Sequence, residues 1–321
     1  MGWYQWPSSI YPSLFWMILP IWRTWSPSCA DCGRWRPRGR WPERGGPATM
    51  ASEHGGFTGI RGFLETSFVD WPGNICAVLF LGGCNFRCPY CHNPHLVLSP
   101  TELDEIPWED VASSLRRLRG WVDGVCITGG EPTLHPQLMR LLWEIQALGL
   151  QAKLDTNGSR PHVIAELLIH GLLQAVSIDL KAPLRAVPYA RACGVDPPLE
   201  EIRRSLEILG GSSVELEFRT TVVPGLVEEG DLLEMASSLP SRGRYTLQGF
   251  RPGSTLDPRL GKTRALPQEE LERLRGAVQR VRQPAASNNT PLSHQQAHGL
   301  QMEGLGEHVE GLESLQPISP L

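Results

Sequence analysis

The strongest constraint on the fold is a regular alternation of short strand-like segments with amphipathic helical segments across residues 56–283. The strand-like segments are β-branched or apolar, and they are short enough to be strands rather than buried helices. Six strands in alternation with helices predict βα repeats, a parallel sheet and an α/β fold whose chemistry lies at the carboxyl ends of the strands. The predicted strands are residues 75–81, 124–128, 151–155, 175–179, 215–222 and 244–248, and the predicted helices are residues 108–118, 137–148, 162–169, 199–209 and 231–239.

The two ends of the chain differ in composition from this central body. Seven of the eleven Trp fall within the first 41 residues, among many Pro and Arg, and residues 1–49 show no strand or helix period. We therefore expect residues 1–49 to be a disordered or non-native leader, with Met50 as a candidate true initiator. Residues 284–321 are rich in Ser, Gln, Gly, Asn and His, which is typical of a flexible tail. Residues 56–283 form one domain that is long enough to bury a substantial core.

Composition excludes several classes of function. The 321 residues carry 30 basic and 34 acidic side chains, a net charge of −4, which does not indicate a nucleic-acid partner. The longest apolar run of the leader, residues 14–19, is far shorter than the roughly 20 residues of a membrane-spanning helix. No basic segment precedes this run and no small-residue cleavage site follows it, so a secretory signal is poorly supported. We expect a cytoplasmic protein without a membrane partner.

A loop with three cysteines follows the first predicted strand. Cys84, Cys88 and Cys91 lie among Gly and Pro, where they can converge on one point. Disulfides explain an odd number of thiols poorly. Structural zinc requires four ligands, and His92 directly follows Cys91, which makes simultaneous ligation awkward. Three thiolates can instead hold an iron–sulfur cluster with one iron open to another ligand. From the spacing alone, a cluster, a zinc site and no metal all stay open.

Glycines or charged residues also follow the later predicted strands. Two glycines let backbone approach a ligand closely, and an adjacent carboxylate can accept a hydrogen bond from a cation such as an α-ammonium. Charged residues where apolar strands end would face a ligand in a barrel, and an arginine inside a strand must be paired or ligand-bound if it is buried. Each alone also fits a turn, a solvated strand end or a salt bridge. Together, in chain order, they indicate one site: Gly129, Gly130, Glu131, Asp155, Asp179, Lys181 and Arg219.

The cysteine spacing resembles that of the radical S-adenosylmethionine (SAM) enzymes, which carry Cys-x3-Cys-x2-Cys with an aromatic residue, here Tyr90, before the last Cys. Over almost the whole body the chain is similar to the activating enzymes of glycyl radical enzymes. The similarity is strongest to the anaerobic ribonucleoside-triphosphate reductase activating proteins, in residues 62–73, 80–94 and 153–158. The resemblance implies a partial (β/α)6 TIM-like barrel of the radical SAM type.

The resemblance also implies roles for individual residues. Cys84, Cys88 and Cys91 would hold a [4Fe–4S] cluster whose fourth iron binds the amino and carboxylate groups of SAM. Tyr90 would lie near the adenine. In the pyruvate formate-lyase activating enzymes, the matching aspartates also hold a monovalent cation. The other SAM contacts implied in this way are Gly129, Gly130 and Glu131 at the methionyl ammonium, and Asp155, Asn157, Asp179, Lys181 and Arg219 at the ribose and carboxylate.

The reaction implied by the resemblance is reductive cleavage of SAM to methionine and a 5′-deoxyadenosyl radical, which takes a hydrogen atom from a glycine of a partner enzyme. The implied partners are anaerobic ribonucleoside-triphosphate reductase and a low-potential electron donor such as flavodoxin or ferredoxin. The body ends soon after the sixth predicted strand, which predicts an open lateral mouth for the partner's glycine loop.

Three other functions are considered. Two are enzymes: a pyruvate formate-lyase-type activating enzyme, and a small-molecule radical SAM enzyme resembling 7-carboxy-7-deazaguanine synthase. The third is a zinc-dependent interaction module without catalysis, which leaves the polar strand ends unexplained.

The remaining cysteines and His92 are expected to be structural or incidental. Cys76 and Cys126 fall inside predicted strands, where a buried free Cys behaves as a small apolar residue. Cys193 is expected alone in a loop, and His92 is expected to be a loop residue rather than a ligand. The spacing of Cys29 and Cys32 in the leader lacks a second pair and is interpreted as coincidence.

Overall fold

The computed structural model describes residues 57–283. Within this part of the chain, no helix is both long enough and apolar enough to cross a membrane. Four features of the sequence lie outside the described residues: the leader predicted over residues 1–49, Met50, the Cys29 and Cys32 pair, and the tail predicted over residues 284–321.

A seven-stranded sheet forms the centre of the fold. Its strands are β1 (Ile60–Ser67), β2 (Cys76–Leu81), β3 (Gly124–Gly129), β4 (Gln151–Thr156), β5 (Ala175–Asp179), β6 (Glu215–Val222) and β7 (Arg244–Gly249). The strands lie side by side in chain order; β1 pairs antiparallel with β2, and β2 to β7 are parallel. In the described residues β1 and β7 are edge strands that do not pair with each other, so the six parallel strands form a partial barrel.

All six predicted parallel strands are confirmed, with bounds that differ by at most one residue. The sequence does not predict β1. Three consecutive exposed residues, Leu64 to Thr66, interrupt the alternation of buried and exposed positions in this strand. Its pairing with β2 is also irregular, with register shifts between Ile60 and Gly62 and between Leu64 and Ser67. A strand without a clean period of two gives no periodic signal.

Eight α-helices surround the described part of the sheet. They are α1 (Pro94–Leu98), α2 (Trp108–Arg117), α3 (Leu138–Ala147), α4 (Pro161–Ile169), α5 (Ala186–Cys193), α6 (Leu199–Gly210), α7 (Glu229–Ser238) and α8 (Gln268–Arg282). The five predicted helices are confirmed as α2, α3, α4, α6 and α7.

The three helices that the sequence pattern misses each have a physical reason. One of them, α1, has only five residues, and α5 has Pro188 in its first turn. The third, α8, is rich in charged residues, and its buried stripe consists only of Leu271, Leu274, Ala277 and Val278. The expectation that Cys193 stands in a loop is wrong: it is the last residue of α5 and is fully buried. Short or mostly polar helices carry too few apolar residues to show a period.

The two faces of the sheet differ. The outer face packs against the helices through fully buried side chains such as Leu79, Ile127 and Leu154. On the inner face, Trp71 lies against the amino ends of two strands: its Nε1 donates to Glu215 Oε2 at 3.1 Å, and a Cβ on Gly124 would lie 2.7 Å from its ring. Trp71 therefore covers the amino end of the inner face and leaves the carboxyl end as the place for a site.

Candidate active site

The three predicted cysteine ligands lie on the cysteine loop, residues 82–93, which connects β2 to α1. Within the loop, the backbone N–H of Cys91 donates to the carbonyl of Cys88 at 3.0 Å. The side chain of Arg87 donates from Nη1 to the carbonyl of Cys84 at 2.6 Å and to that of Phe86 at 2.8 Å. These bonds hold the loop in a compact turn, with all three thiols on one short segment.

The thiols are shielded from water and lie near a cation. Cys88 is 8% exposed, and Cys84 and Cys91 are half-buried. Burial raises the pKa of Cys84 to about 11 and that of Cys88 to about 12, and it raises the pKa of Cys91 in the same direction. The ammonium of Lys181 acts against burial on the pKa of all three thiols. The free thiols are therefore protonated near neutral pH, and binding of a metal group would release protons from them.

The loop fits a cluster better than a single ion. In the described residues, no group of three or more His, Cys, Asp or Glu side chains converges on a point that could hold one metal ion. Structural zinc needs four ligands bonded to the same atom. Three thiolates of a cluster bond to three different irons and need no common point. The ring of His92 stacks on Phe250 with centroids 5.7 Å apart, and its Nδ1 lies 3.3 Å from the carbonyl of Ser254.

The two glycines at the end of β3 allow close contact with the backbone of β2 and the cysteine loop. Gly129 has φ +119°, and a Cβ there would overlap the backbone of Leu81. A Cβ on Gly130 would overlap the carbonyl oxygen of Gly83, whose carbonyl also accepts from the N–H of Glu131 at 2.8 Å. The backbone of Leu81 and Gly83, just before Cys84, therefore occupies the space that the missing side chains of these two glycines leave open.

Glu131 is a buried link between strand ends. It is 1% exposed. Its Oε1 accepts from the backbone N–H of Thr133 at 3.0 Å and from the hydroxyls of Thr133 and Thr156 at 2.5 and 2.7 Å, and its Oε2 accepts from the N–H of Asn157 at 2.7 Å. Burial raises its pKa, although these hydrogen bonds act in the opposite direction. Glu131 therefore ties the end of β3 to the end of β4.

The side chain of Asn157 ties the end of β4 to the cysteine loop. Its Nδ2 donates to Asn85 Oδ1 at 2.9 Å, and its Oδ1 accepts from the backbone N–H of Ser159 at 2.9 Å. Asn85 also donates from Nδ2 to Ser159 Oγ at 2.8 Å. Because Asn85 follows Cys84 directly, this pair of amides fixes the start of the cysteine loop against β4.

Five charged side chains of β4, β5 and β6 and of the segment just after β5 form a continuous network, which we call the charged network. Lys153 Nζ lies 2.5 Å from Asp155 Oδ1. Arg219 donates from Nη1 to Asp155 Oδ2 at 3.0 Å and from Nε to Asp179 Oδ1 at 2.7 Å. Lys181 Nζ lies 3.6 Å from Asp179 Oδ2. The register of the parallel strands explains the arrangement, since Asp179 stands opposite Arg219.

Mutual pairing keeps the charged network ionised. Burial by itself would raise the pKa of Asp179, but Arg219 and Lys181 lower it to about 2. Burial likewise acts to lower the pKa of Lys181, and Asp179 overcomes it, so this pKa is raised. The same balance with Asp155 raises the pKa of Lys153. Lys181 and Arg219 are cations of the charged network that can attract an anionic group.

Tyr90 carries a buried hydroxyl without a partner. In residues 57–283, Tyr90 Oη and Arg61 Nε are the buried side-chain polar atoms that make no hydrogen bond. Burial raises the pKa of Tyr90, and Cys88, Tyr189, Asp179 and Cys91 raise it further. A buried hydroxyl without a partner is a candidate to form a hydrogen bond with a ligand group.

The structure brings the predicted residues into two groups, the cysteine loop with the strand ends bonded to it and the charged network. Lys181 links them, because it pairs with Asp179 and acts electrostatically on the loop thiols. Sequence reasoning misses several residues that hold the site. His135 Nε2 lies 2.7 Å from the carbonyl of Gly82, and the N–H groups of Leu256 and Asp257 donate to carbonyls of the cysteine loop. These are backbone contacts across long sequence separations, and no residue pattern signals them.

Comparison with known proteins identifies the family. Residues 78–236, which include the cysteine loop, match the Radical SAM superfamily. The chain is 31% identical over 220 residues to a provisionally named glycyl-radical enzyme activating enzyme of Methanocaldococcus jannaschii, covering 67% of this chain and 89% of that protein. It is 35% identical over 127 residues to the pyruvate formate-lyase-activating enzyme of Clostridium pasteurianum, covering 38% of this chain and 52% of that enzyme.

Among solved structures, the chain is similar to that of SuiB from Streptococcus suis bound to precursor peptide SuiA, with a TM-score of 0.48 and 16% identity over 63% of this chain and 45% of that one. Members of the superfamily bind a [4Fe–4S] cluster and SAM. The match to the archaeal relative extends over two thirds of this chain and most of the relative's own length. The chain therefore belongs to the radical SAM superfamily and, within it, to the activating enzymes of glycyl radical enzymes.

Proposed function

We propose that the chain activates anaerobic ribonucleoside-triphosphate reductase by installing a glycyl radical on it. The observation that carries the proposal is the position of Lys181, whose Nζ lies 3.6 Å from Asp179 Oδ2 in the charged network and whose charge acts to lower the pKa of all three thiols of the cysteine loop. The thiols and the polar groups suited to SAM would then belong to one site. The similarity of residues 62–73, 80–94 and 153–158 to the activating proteins of that reductase supports this partner over others.

The cysteine loop would hold the cluster. Cys84, Cys88 and Cys91 supply the thiolates, and the ammonium of Lys181 stabilises their negative charge. When bound, the cluster and SAM supply a carbon-centred radical that can take a hydrogen atom from a glycine. The buried surroundings of Cys88 exclude water from the loop.

The charged network and its neighbours would orient SAM. Lys181 and Arg219 offer cations to its carboxylate, and Asp155 and Asp179 offer acceptors to the ribose hydroxyls. A monovalent cation at the two aspartates would share them with Arg219, which already bridges both.

Three further groups complete the proposed SAM contacts. Tyr90 has a free hydroxyl to donate near the adenine. Glu131 Oε2 accepts one hydrogen bond and keeps capacity for the methionyl ammonium beside Gly129 and Gly130. Asn157 takes part by fixing the loop through Asn85.

The partners follow from the same proposal. The unpaired edges β1 and β7 of the described sheet support an open mouth through which a glycine-bearing loop of the reductase can enter. A low-potential protein such as flavodoxin or ferredoxin would supply the electron, in the cytoplasm.

The first experiment tests the chemistry. The protein is loaded with iron and sulfide without oxygen, reduced with dithionite in the presence of SAM, and assayed for 5′-deoxyadenosine by chromatography. We expect product from the wild type and none above background from Cys88→Ala. Cys76→Ala is the matched control, since Cys76 is equally buried but lies in β2 outside the loop, and it should keep the activity. A colourless protein that yields no 5′-deoxyadenosine would contradict the proposal and favour a zinc module.

The second experiment tests the partner. Reduced protein and SAM are mixed with anaerobic ribonucleoside-triphosphate reductase or with pyruvate formate-lyase, and a glycyl radical is sought by electron paramagnetic resonance. We expect the signal with the reductase. Pyruvate formate-lyase is the second candidate, because of the 35% identity to its activating enzyme over 127 residues. SAM cleavage stimulated by a pterin, with no signal from either protein, would point to a small-molecule enzyme.

A further inference from the structure

The segment between β7 and α8, residues 250–267, packs directly against the cysteine loop, and we call it the β7–α8 loop. The N–H of Leu256 donates to the carbonyl of Cys91 at 3.0 Å, and the N–H of Asp257 donates to the carbonyl of Pro89 at 2.8 Å. These bonds and the stacking of His92 on Phe250 attach the β7–α8 loop to the part of the cysteine loop that carries Cys91.

The β7–α8 loop is folded on itself. Its short 3₁₀ turn, Leu260–Lys262, packs back onto the start of the loop, since a Cβ on Gly261 would overlap the carbonyl of Gly253 and would lie 3.4 Å from Thr255 Oγ1. Thr255 Oγ1 also donates to the carbonyl of Asp257 at 2.7 Å. The residues around Gly253 and those of the 3₁₀ turn therefore lie close together, on one local surface beside the cysteine loop.

This surface is strongly basic in a chain with a net charge of −4. Asp257 is the one acidic residue of the β7–α8 loop, and its charge is paired with Arg259, whose side chain is 91% exposed. Within the described residues, the exposed side chains of Arg251, Lys262 and Arg264 have no ion pair or hydrogen bond. Arg87 adds a further exposed cation on the cysteine loop itself.

We propose that the β7–α8 loop, with Arg251 and Lys262 as its free cations, is the docking surface for an acidic low-potential electron-transfer protein. The proposal rests on the proposed function, which requires one electron for each SAM cleaved. The donor loses one electron and the loaded protein gains one, with no bond formed or broken in the transfer. An acidic partner attracted to this loop would come to rest next to the backbone of Cys91.

Charge complementarity favours this occupant. Electron-transfer encounters use small, transient interfaces in which opposite surface charges raise the association rate. Long-range attraction of this kind needs unpaired charges of one sign on one face. Arg251 and Lys262 meet this requirement, because neither is neutralised by a neighbour in the described part of the chain.

The first arm of the test measures binding without catalysis. Full-length protein is titrated calorimetrically with an oxidised flavodoxin of strongly negative charge, at low and at high sodium chloride. We expect Arg251→Glu/Lys262→Glu to raise the Kd by about tenfold or more at low salt, and the neutral variant Arg251→Gln/Lys262→Gln to raise it by less. The matched control is Arg116→Glu/Arg119→Glu, which changes charge equally at the end of α2 and between α2 and the amino end of β3, whereas the β7–α8 loop follows the carboxyl end of β7.

The second arm separates docking from chemistry. Cleavage of SAM is driven either by dithionite or by photoreduced flavodoxin. We expect Arg251→Glu/Lys262→Glu to keep the dithionite rate and to lose most of the flavodoxin-driven rate, with the control pair unchanged in both. If the wild type does not cleave SAM with dithionite, the proposed function is contradicted. The calorimetric titration would still test whether flavodoxin binds at the β7–α8 loop.

Three outcomes would overturn the docking proposal. One is wild-type protein that does not bind flavodoxin, and another is a charge-reversed variant that binds it as tightly as wild type. The third is a variant that loses affinity for the glycyl radical enzyme but not for flavodoxin, which would assign the surface to that partner. Circular dichroism of each variant checks folding, and the neutral variant supplies the same comparison if charge reversal prevents folding.

Discussion

The inner face of the sheet is apolar along β2 and β3 and charged along β4, β5 and β6. Cys76, Val78 and Phe80 of β2 and Cys126 of β3 form a small apolar cluster with Trp71. On the next three strands, the residues that alternate with the outer core are ionisable: Lys153, Asp155, Asp179, Glu217 and Arg219. The two halves meet where Lys153 Nζ lies 3.9 Å from Cys126 Sγ.

The two halves of the partial barrel would therefore have different functions. The apolar half supports the strand that leads into the cysteine loop, where water must be kept away. The charged half would bind a polar cosubstrate, and it is stable because each buried charge has an opposite partner. The comparison therefore predicts different responses to mutation in the two halves.

The largest loss of unfolding free energy is expected from removing Arg219, the central cation of the charged half. Arg219→Met leaves Asp155 and Asp179 without the group that bridges them. Breaking a buried pair by removing one partner costs about 3 kcal/mol of unfolding free energy. We expect the lower end of the known range, because Lys153 and Lys181 remain beside the two carboxylates. Urea unfolding measures the loss.

A double variant checks the cause of this loss. Arg219→Met/Asp155→Asn removes the cation together with one carboxylate, so its cost should be smaller than the sum of the two single variants. A double variant whose cost equals that sum would show that the two side chains do not interact. It would contradict the statement that paired charges stabilise the charged half.

A smaller effect is expected where the apolar half meets the cysteine loop. A Cβ on Gly130 would overlap the carbonyl of Gly83, so Gly130→Ala should cost about 1–3 kcal/mol and lower the iron content after reconstitution. Gly230→Ala is the matched control, because a Cβ there meets nothing within 4 Å and Gly230 lies in α7. It should leave iron content unchanged and stability equal or slightly higher. Equal behaviour of the two variants would argue against the tight contact.

A mutation at the amino end of the inner face should lower the stability by less. Trp71→Phe keeps an aromatic side chain against the apolar half but removes the hydrogen bond from Nε1 to Glu215. A net cost of about 0.5–1.5 kcal/mol is expected, with cluster content unchanged. Thermal unfolding and iron analysis measure the two quantities. Loss of the cluster in this variant would show that the amino end of the inner face affects the cysteine loop.

The smallest effect concerns acid stability. The pKa of Asp179 is about 2 in the folded protein and 3.8 as the ordinary value. A lowered folded pKa stabilises the fold above the ordinary pKa, and this stabilisation is lost as the pH falls from about 4 towards 2. Because Asp179 is 32% exposed, solvent screening keeps the effect small. Asp179→Asn should flatten the pH dependence of urea unfolding in this window, and an unchanged slope would contradict the pairing.

Much of the fold could be predicted from local sequence pattern. The bounds of β5 and β6 agree with the pattern residue for residue, because β5 is a mostly apolar run ended by Asp179 and β6 alternates apolar or β-branched residues with charged or polar ones. In contrast, β1 and α8 escape prediction, since an irregular edge strand and a mostly charged helix bury too few side chains in a regular order.

The candidate site could be predicted as a set of residues but not as a set of contacts. Position at strand ends was enough to select Glu131 and Asp179. Nothing local indicates that the donors to Glu131 include Thr156, 25 residues later, or that Leu256 bonds to Cys91. These pairs come together only through strand register and loop packing.

The sequence by itself determined the order of the six parallel strands and of five helices, the three thiols and the chain positions of the charged side chains, because periodicity and motif spacing are local properties. Only the tertiary structure decided that Arg219 bridges two aspartates, that Gly130 makes room for Gly83, and that the β7–α8 loop lies on the cysteine loop. The physical reason is that hydrogen bonds and ion pairs depend on distance in space, which strand register sets and sequence separation does not.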